Sequence, residues 1–126
     1  MPSVDEHLAQ ARANEALADD LDEAPAALVG WRLTMVFHAA VHIGRAFVRR
    51  RSPQTMIDSH ISFEPEFRRA GGGATQYKQY REMKDRSESA RYDCSEVTPS
   101  ELQHVRLSLY APFKDMVLTA LKLTPW

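Results

Sequence analysis

Along most of the chain the apolar residues recur at three- and four-residue steps, and no segment shows the two-residue alternation of a strand or the turn of a hairpin. Ser3 followed by Glu6 forms a capping box, in which each side chain bonds the other residue's backbone N–H, and it predicts the start of helix one. That helix is expected to run to about Glu23, with Leu8, Ala9, Arg12, Ala16, Leu17 and Leu21 as a narrow inward stripe. Helix two is predicted over 26–51, with Pro25 near its first turn, where a missing N–H costs little. Leu28, Trp31, Met35, Phe37, Ala39, Val41, Ile43, Phe47 and Val48 leave it little polar circumference, so it is expected at the centre. Arg49, Arg50 and Arg51 complement the negative end of its dipole, and Ser52-Pro53 stops it.

A short helix is expected over 59–69, with Ile61, Phe63 and Phe67 inward and Pro65 limiting its start. Gly71-Gly72-Gly73 reads as a hinge or mobile loop, because it lacks the lysine and the strand-to-helix setting of a phosphate loop. Helix four, over 75–91, places Tyr77, Tyr80, Met83 or Lys84, and Ser87 on one side. Thr98-Pro99-Ser100-Glu101 is a second capping box and opens helix five, whose inward positions are Leu102, Val105, Leu109, Phe113, Met116, Val117, Ala120 and Leu121. Pro112 is expected to kink it. The expected class is all-α, an antiparallel bundle of four to five helices.

A chain of 126 residues suits one domain, 1–126, able to bury a core without disulfides. Its one cysteine, Cys94, cannot form an internal disulfide and reads as a half-exposed loop thiol compatible with a reducing compartment. Arg32, His38, His42 and Arg45 interrupt the longest apolar stretch, so no membrane span is expected. The acidic N-terminus is unlike a secretory signal, and the expected location is the cytoplasm. Net charge is −1, but residues 1–23 carry seven acids against Arg12 alone, and residues 45–91 carry eleven Arg or Lys against six acids. Such asymmetry suits an anionic partner, two protomers meeting acid to base, or two solvated helix faces.

The polar residues inside helix two are the first place to look for chemistry. His38 and His42, four apart, share a face, and Arg32 lies roughly 120° from it. An arginine in apolar surroundings needs a carboxylate, a carbonyl, a phosphate or water, and a histidine there is either a hydrogen-bonded core residue or an acid–base group. His38-Ala-Ala-Val-His42 has metal-ligand spacing but lacks the glutamate of the zinc-protease motif; a site would need His60, Asp93, Cys94 or His104 from afar, and no metal or cofactor is expected. At the end of helix four, Arg91 and Asp93 could pair locally beside a packed Tyr92. Alternatively Arg91 and Tyr92, with Tyr77 and Tyr80 among Lys78, Arg81, Lys84 and Arg86, offer charge and stacking to RNA or a partner.

Helix order and pattern resemble the HEPN (higher eukaryotes and prokaryotes nucleotide-binding) domains, especially small stand-alone bacterial members. The matching features are the Ala-rich first helix, the run from Trp31 to His42, the Ser59-His60 loop, and a helix closing in Ala90-Arg91-Tyr92-Asp93 before a long last helix. The resemblance implies a helical bundle that is usually a homodimer, in toxin–antitoxin or phage-defence systems. Many members are metal-independent endoribonucleases with an arginine, four to six residues and a histidine meeting across the dimer, and Arg32 to His38 fits that spacing. His38, aided by His42, would then move the proton and Arg32 would stabilise phosphoryl charge. Other members lack catalysis and bind RNA or a protein, a role that falls here to Lys78, Arg81, Lys84, Arg86, Arg91 and Tyr92.

Overall fold

The computed structural model describes residues 2–21, 25, 28–55, 60–93 and 96–126, with backbone only at 60–62. The chain is all-helical among these residues, and no helix is long and apolar enough to cross a membrane. The elements are α1 (Val4–Asp20), α2 (Val29–Arg51), α3 (His60–Arg69), α4 (Ala74–Tyr92), α5 (Pro99–His104), a π-helical stretch Val105–Tyr110, and α6 (Ala111–Ala120). α1 ends at Asp20 with Leu21 in a turn, short of the expected Glu23, and His60 opens α3 rather than lying in a loop; Ala26, Ala27, Ser59, the Ile61 side chain and the Cys94 thiol lie outside the described residues.

Both expected capping boxes have their leading half in place. The Ser3 hydroxyl accepts from the Glu6 N–H and the Glu6 carboxylate accepts from the Ser3 N–H, while the Thr98 hydroxyl accepts from the Glu101 N–H. Pro112 is absorbed differently from a simple kink. A proline N cannot donate, and its ring crowds the carbonyl four residues back. The π-helical stretch ends just before it, with the Ala111 N–H reaching five residues back to the Arg106 carbonyl, so the ladder widens where the proline needs room. The triple glycine is a compact helix stop. Gly71 is left-handed (φ 102°), and the Gly72 and Gly71 N–H groups bond the Phe67 and Arg68 carbonyls at 2.8 and 3.1 Å, which satisfies the end of α3. Pro65 sits within α3 rather than at its start.

Cross-helix contacts fix the directions. His7 meets His42 and Ala18 meets Arg32, so α1 runs antiparallel to α2. Ser87 meets Thr34 at 3.2 Å and Tyr80 meets Phe37, so α4 does the same. Gly44 meets Phe113, and Arg51 reaches the Ala120 carbonyl at 3.1 Å, so the α5–α6 rod runs parallel to α2. α2 packs against every other described helix and is the spine of the bundle, with Leu33, Phe37, Ala39, Ala40 and Ile43 fully buried. Aromatic rings fill the space beside it: Phe63 stacks on Tyr80 with centroids 4.3 Å apart and on Phe67 at 5.2 Å.

Two expected faces are rotated. On α1 the buried residues are His7, Ala11 and Ala18, and Leu17 is exposed. The small alanines let α1 lie close on α2, and the leucines flank the seam. On the last helix the rotation is partial: Tyr110, Lys114 and Leu118 join the expected Leu102, Val105, Leu109, Phe113, Val117 and Leu121 in the core, while Met116 and Ala120 face out. Trp31, expected inside, is 54% exposed.

Candidate functional site

Arg32 is almost buried, 8% exposed, and its Nε donates to the Ala18 carbonyl at 2.9 Å. Ala18 lies in the last turn of α1, where carbonyls lack partners within the helix and no basic residue of α1 itself is present. The guanidinium therefore closes that end and brings a cation to the negative end of the α1 dipole. It lines a groove of about 520 Å³ with Asp19, Leu102, Arg106 and Leu107, across which Arg106 pairs with Asp19.

The imidazoles lie elsewhere. His42 is half-buried, and its Nδ1 sits 3.0 Å from Nδ1 of His7, which is itself 6% exposed. Two facing Nδ1 atoms at this distance share one proton, so one ring donates and the other accepts. Burial, then the neighbouring His7, Arg45 and His38, pushes His42 down from 6.5 to about 4. His7 is lowered by burial and by Arg45 and Arg49, against an upward pull from Glu6. His38, half-buried beside the Phe37 ring, is lowered by burial first and then by Arg91 and Arg45. The groove that Arg32 lines contains neither His38 nor His42, and the cavity that His42 lines does not contain Arg32. The fold thus brings His38 towards Arg91 and Arg45, and His42 towards His7 and Arg45.

On α4 the basic residues divide into two kinds. Arg86 is held by Glu82 at 3.1 Å and by Glu101 at 3.0 Å, which ties α4 to α5, and Lys84 pairs with Glu88 at 3.4 Å. Lys78 and Arg81 are exposed and make no ion pair among the described residues. Arg91 donates to the Ser87 carbonyl at 3.4 Å, and its guanidinium lies 4.9 Å over the Tyr92 ring, which is 73% exposed. A guanidinium beside an exposed phenol ring offers an aromatic and hydrogen-bonding surface at the end of the bundle. Tyr80, expected among the stacking groups, is buried in the aromatic core, and its phenol is pushed upward by that burial; Tyr77 is half-buried against the same core.

Sequence reasoning passed over three residues that the fold makes important. His7 carries no motif in the sequence, and Arg45 stands out only as an interruption of the apolar stretch; the α1–α2 register joins them to His42. Glu15, taken as part of an acidic face, accepts from the Tyr110 hydroxyl at 2.5 Å, the Trp126 indole at 3.1 Å and the buried Lys114 ammonium at 3.2 Å. The only sequence signal for that network was a lysine at an inward helical position, Lys114 one step after Phe113. Among the described residues no group of three or more His, Cys, Asp and Glu could hold a metal ion. No family model, no curated protein and no solved structure matches the chain.

Proposed function

We propose that the chain is a HEPN-like binding module of a bacterial toxin–antitoxin or phage-defence type system, which holds RNA or a protein partner through the α4 face. The observation that carries this reading is the division of labour among its arginines. Arg32, on which cleavage by an arginine–histidine pair would depend, caps the end of α1 through the Ala18 carbonyl. Lys78 and Arg81 instead stand exposed, with the Arg91–Tyr92 pair at the end of the same helix. Exposed cations on the same helix as an exposed Arg–Tyr pair suit phosphate and base contacts, or an acidic protein surface. A homodimer belongs to the same reading. Trp31, Leu17 and Leu107 are large, apolar and exposed, and Leu107 lines the groove beside Arg32.

The experiment is direct. Purified chain is incubated with labelled RNA in the presence of a chelator, alongside His38→Ala and Arg32→Ala variants checked for folding by circular dichroism. The binding reading expects intact RNA in every lane and, where RNA is the partner, a retarded complex. RNA cleaved by the parent chain, with cleavage lost in a folded His38→Ala variant, overturns it in favour of a metal-independent endoribonuclease using Arg32, His38 and His42.

A further inference from the structure

We propose that the cleft between the first turns of α1 and the last turns of α2, lined by His7, His42, Arg45, Arg49 and Thr55, is a binding site for a tetrahedral oxyanion of the phosphate class. The site is independent of the α4 face. Its lining joins two imidazoles, two guanidiniums and a hydroxyl, with no carboxylate among the described lining residues. Arg45 is half-buried and makes no ion pair among the described residues, although it lies close enough to His7, His38, His42 and Tyr80 to influence all four. A half-buried guanidinium among other nitrogen bases, with no carboxylate paired to it among the described residues, is matched in charge by a bound oxyanion. Arg49 is held in place by donating to the Pro53 carbonyl, which also anchors the turn that presents Thr55.

The cavity measures about 110 Å³. That is room for several waters and of the order of one phosphoryl group. Any larger ligand would place its phosphoryl here and the rest outside.

The histidine pair adds a proton-linked response. With one proton shared between the Nδ1 atoms, the donor ring has a bare Nε2 and the acceptor ring carries its proton there. A first added proton goes to the bare Nε2 and leaves the inter-ring hydrogen bond intact; a second would break it. Burial and the Arg45 and Arg49 charges oppose even the first, with His38 acting on His42 from the same helix and Glu6 favouring it at His7. A bound oxyanion reverses that balance, so ligand and proton bind together.

The test is a titration of the histidine ring resonances of the whole chain by nuclear magnetic resonance. Inorganic phosphate is added near pH 6, with sodium chloride at matched ionic strength as the control, and glycerol phosphate in a parallel series separates free phosphate from a phosphomonoester as the preferred form. The expected result is a saturable shift of the His7 and His42 resonances and a rise of their titration midpoint. Arg45→Gln should weaken phosphate binding about ten- to a hundredfold, the loss of one charge-assisted contact, while Arg68→Gln, an exposed cation on α3 outside both surfaces, leaves it unchanged. Shifts reproduced by chloride overturn the proposal, as does a parent chain with no saturable response to either phosphate. A saturable response to zinc in place of phosphate also overturns it and makes the two Nδ1 atoms metal ligands. The parent titration decides the matter even if Arg45→Gln does not fold, and RNA cleavage or its absence bears on the α4 reading alone.

Discussion

Replacing Glu15 by alanine should be among the most damaging single changes in the molecule. Its carboxylate accepts from Tyr110, Trp126 and Lys114, joining α1 to the π-helical stretch, α6 and the C-terminus. The Lys114 side chain is 9% exposed and that of Glu15 22%. Removing one member of a buried pair costs about 3–5 kcal/mol, because the other charge stays behind without compensation. The partial exposure of Glu15 places the cost near the lower end, about 3 kcal/mol, and for a chain of this length that is a fall in Tm of about 10 °C. Glu15→Gln keeps one acceptor and should lose roughly half as much. Glu15→Ala combined with Lys114→Met should be more stable than Glu15→Ala alone, since the stranded charge is gone. Urea unfolding followed by circular dichroism gives the free energies, and tryptophan fluorescence reports locally because Trp126 both bonds Glu15 and stacks beneath Arg12 at 4.4 Å. A Glu15→Ala variant within about 0.5 kcal/mol of the parent, the range of an ordinary surface change, would refute the reasoning.

Further expectations concern packing, pH and surface charge. Gly44→Ala puts a methyl carbon 2.5 Å from Phe63 Cζ, inside the aromatic cluster, and should destabilise by about 1–3 kcal/mol in thermal or urea unfolding. The fold holds His42 neutral down to about pH 4 whereas the unfolded chain protonates it near 6.5, so the unfolded state takes up the proton first; stability should fall as pH drops from about 6.5 to about 4 in phosphate-free buffer, and His42→Asn should flatten that slope. Tyr110 is shifted the other way, upward, by burial and its bond to Glu15, so its contribution is complete below pH 10 and is lost on further alkalinisation, which Tyr110→Phe should abolish. Arg86→Ala should cost no more than about 1 kcal/mol, since its two ion pairs are partly solvated.

The central helix was legible because a long, nearly all-round apolar segment can only be buried, and the two capping boxes marked helix starts through local chemistry that needs no tertiary context. The inward side of α4, Tyr80, Met83 and Ser87, also followed from periodicity. What failed had tertiary causes. The face of α1 is set by how closely Ala11 and Ala18 approach α2, which outweighs the pull of Leu8 and Leu17. On the last helix Phe113, Val117 and Leu121 are buried as their spacing predicts, but beside the π-helical stretch Tyr110, Lys114 and Leu118 are buried too and Met116 and Ala120 face out, which periodicity at 3.6 residues per turn does not show. The glycine triplet has the composition of a linker, yet the N–H groups of its first two members close the end of α3 and the Gly73 carbonyl accepts from the Tyr77 N–H at the start of α4. For the candidate site, helical spacing located Arg32, His38 and His42 on α2 but could not say what stands opposite each: Ala18 for Arg32, and His7 for His42, 35 residues away.

The measurement that bears most directly on function is affinity for RNA, or for a co-purifying protein partner, in the parent chain and in Lys78→Glu/Arg81→Glu, over a series of salt concentrations. Both positions are exposed and tie no helices together, so the variant should fold as the parent does. Binding that weakens at least about tenfold in the variant, with a shallower salt dependence, is the expected result. Affinity and salt dependence unchanged by reversing both charges would contradict a binding role for the α4 face.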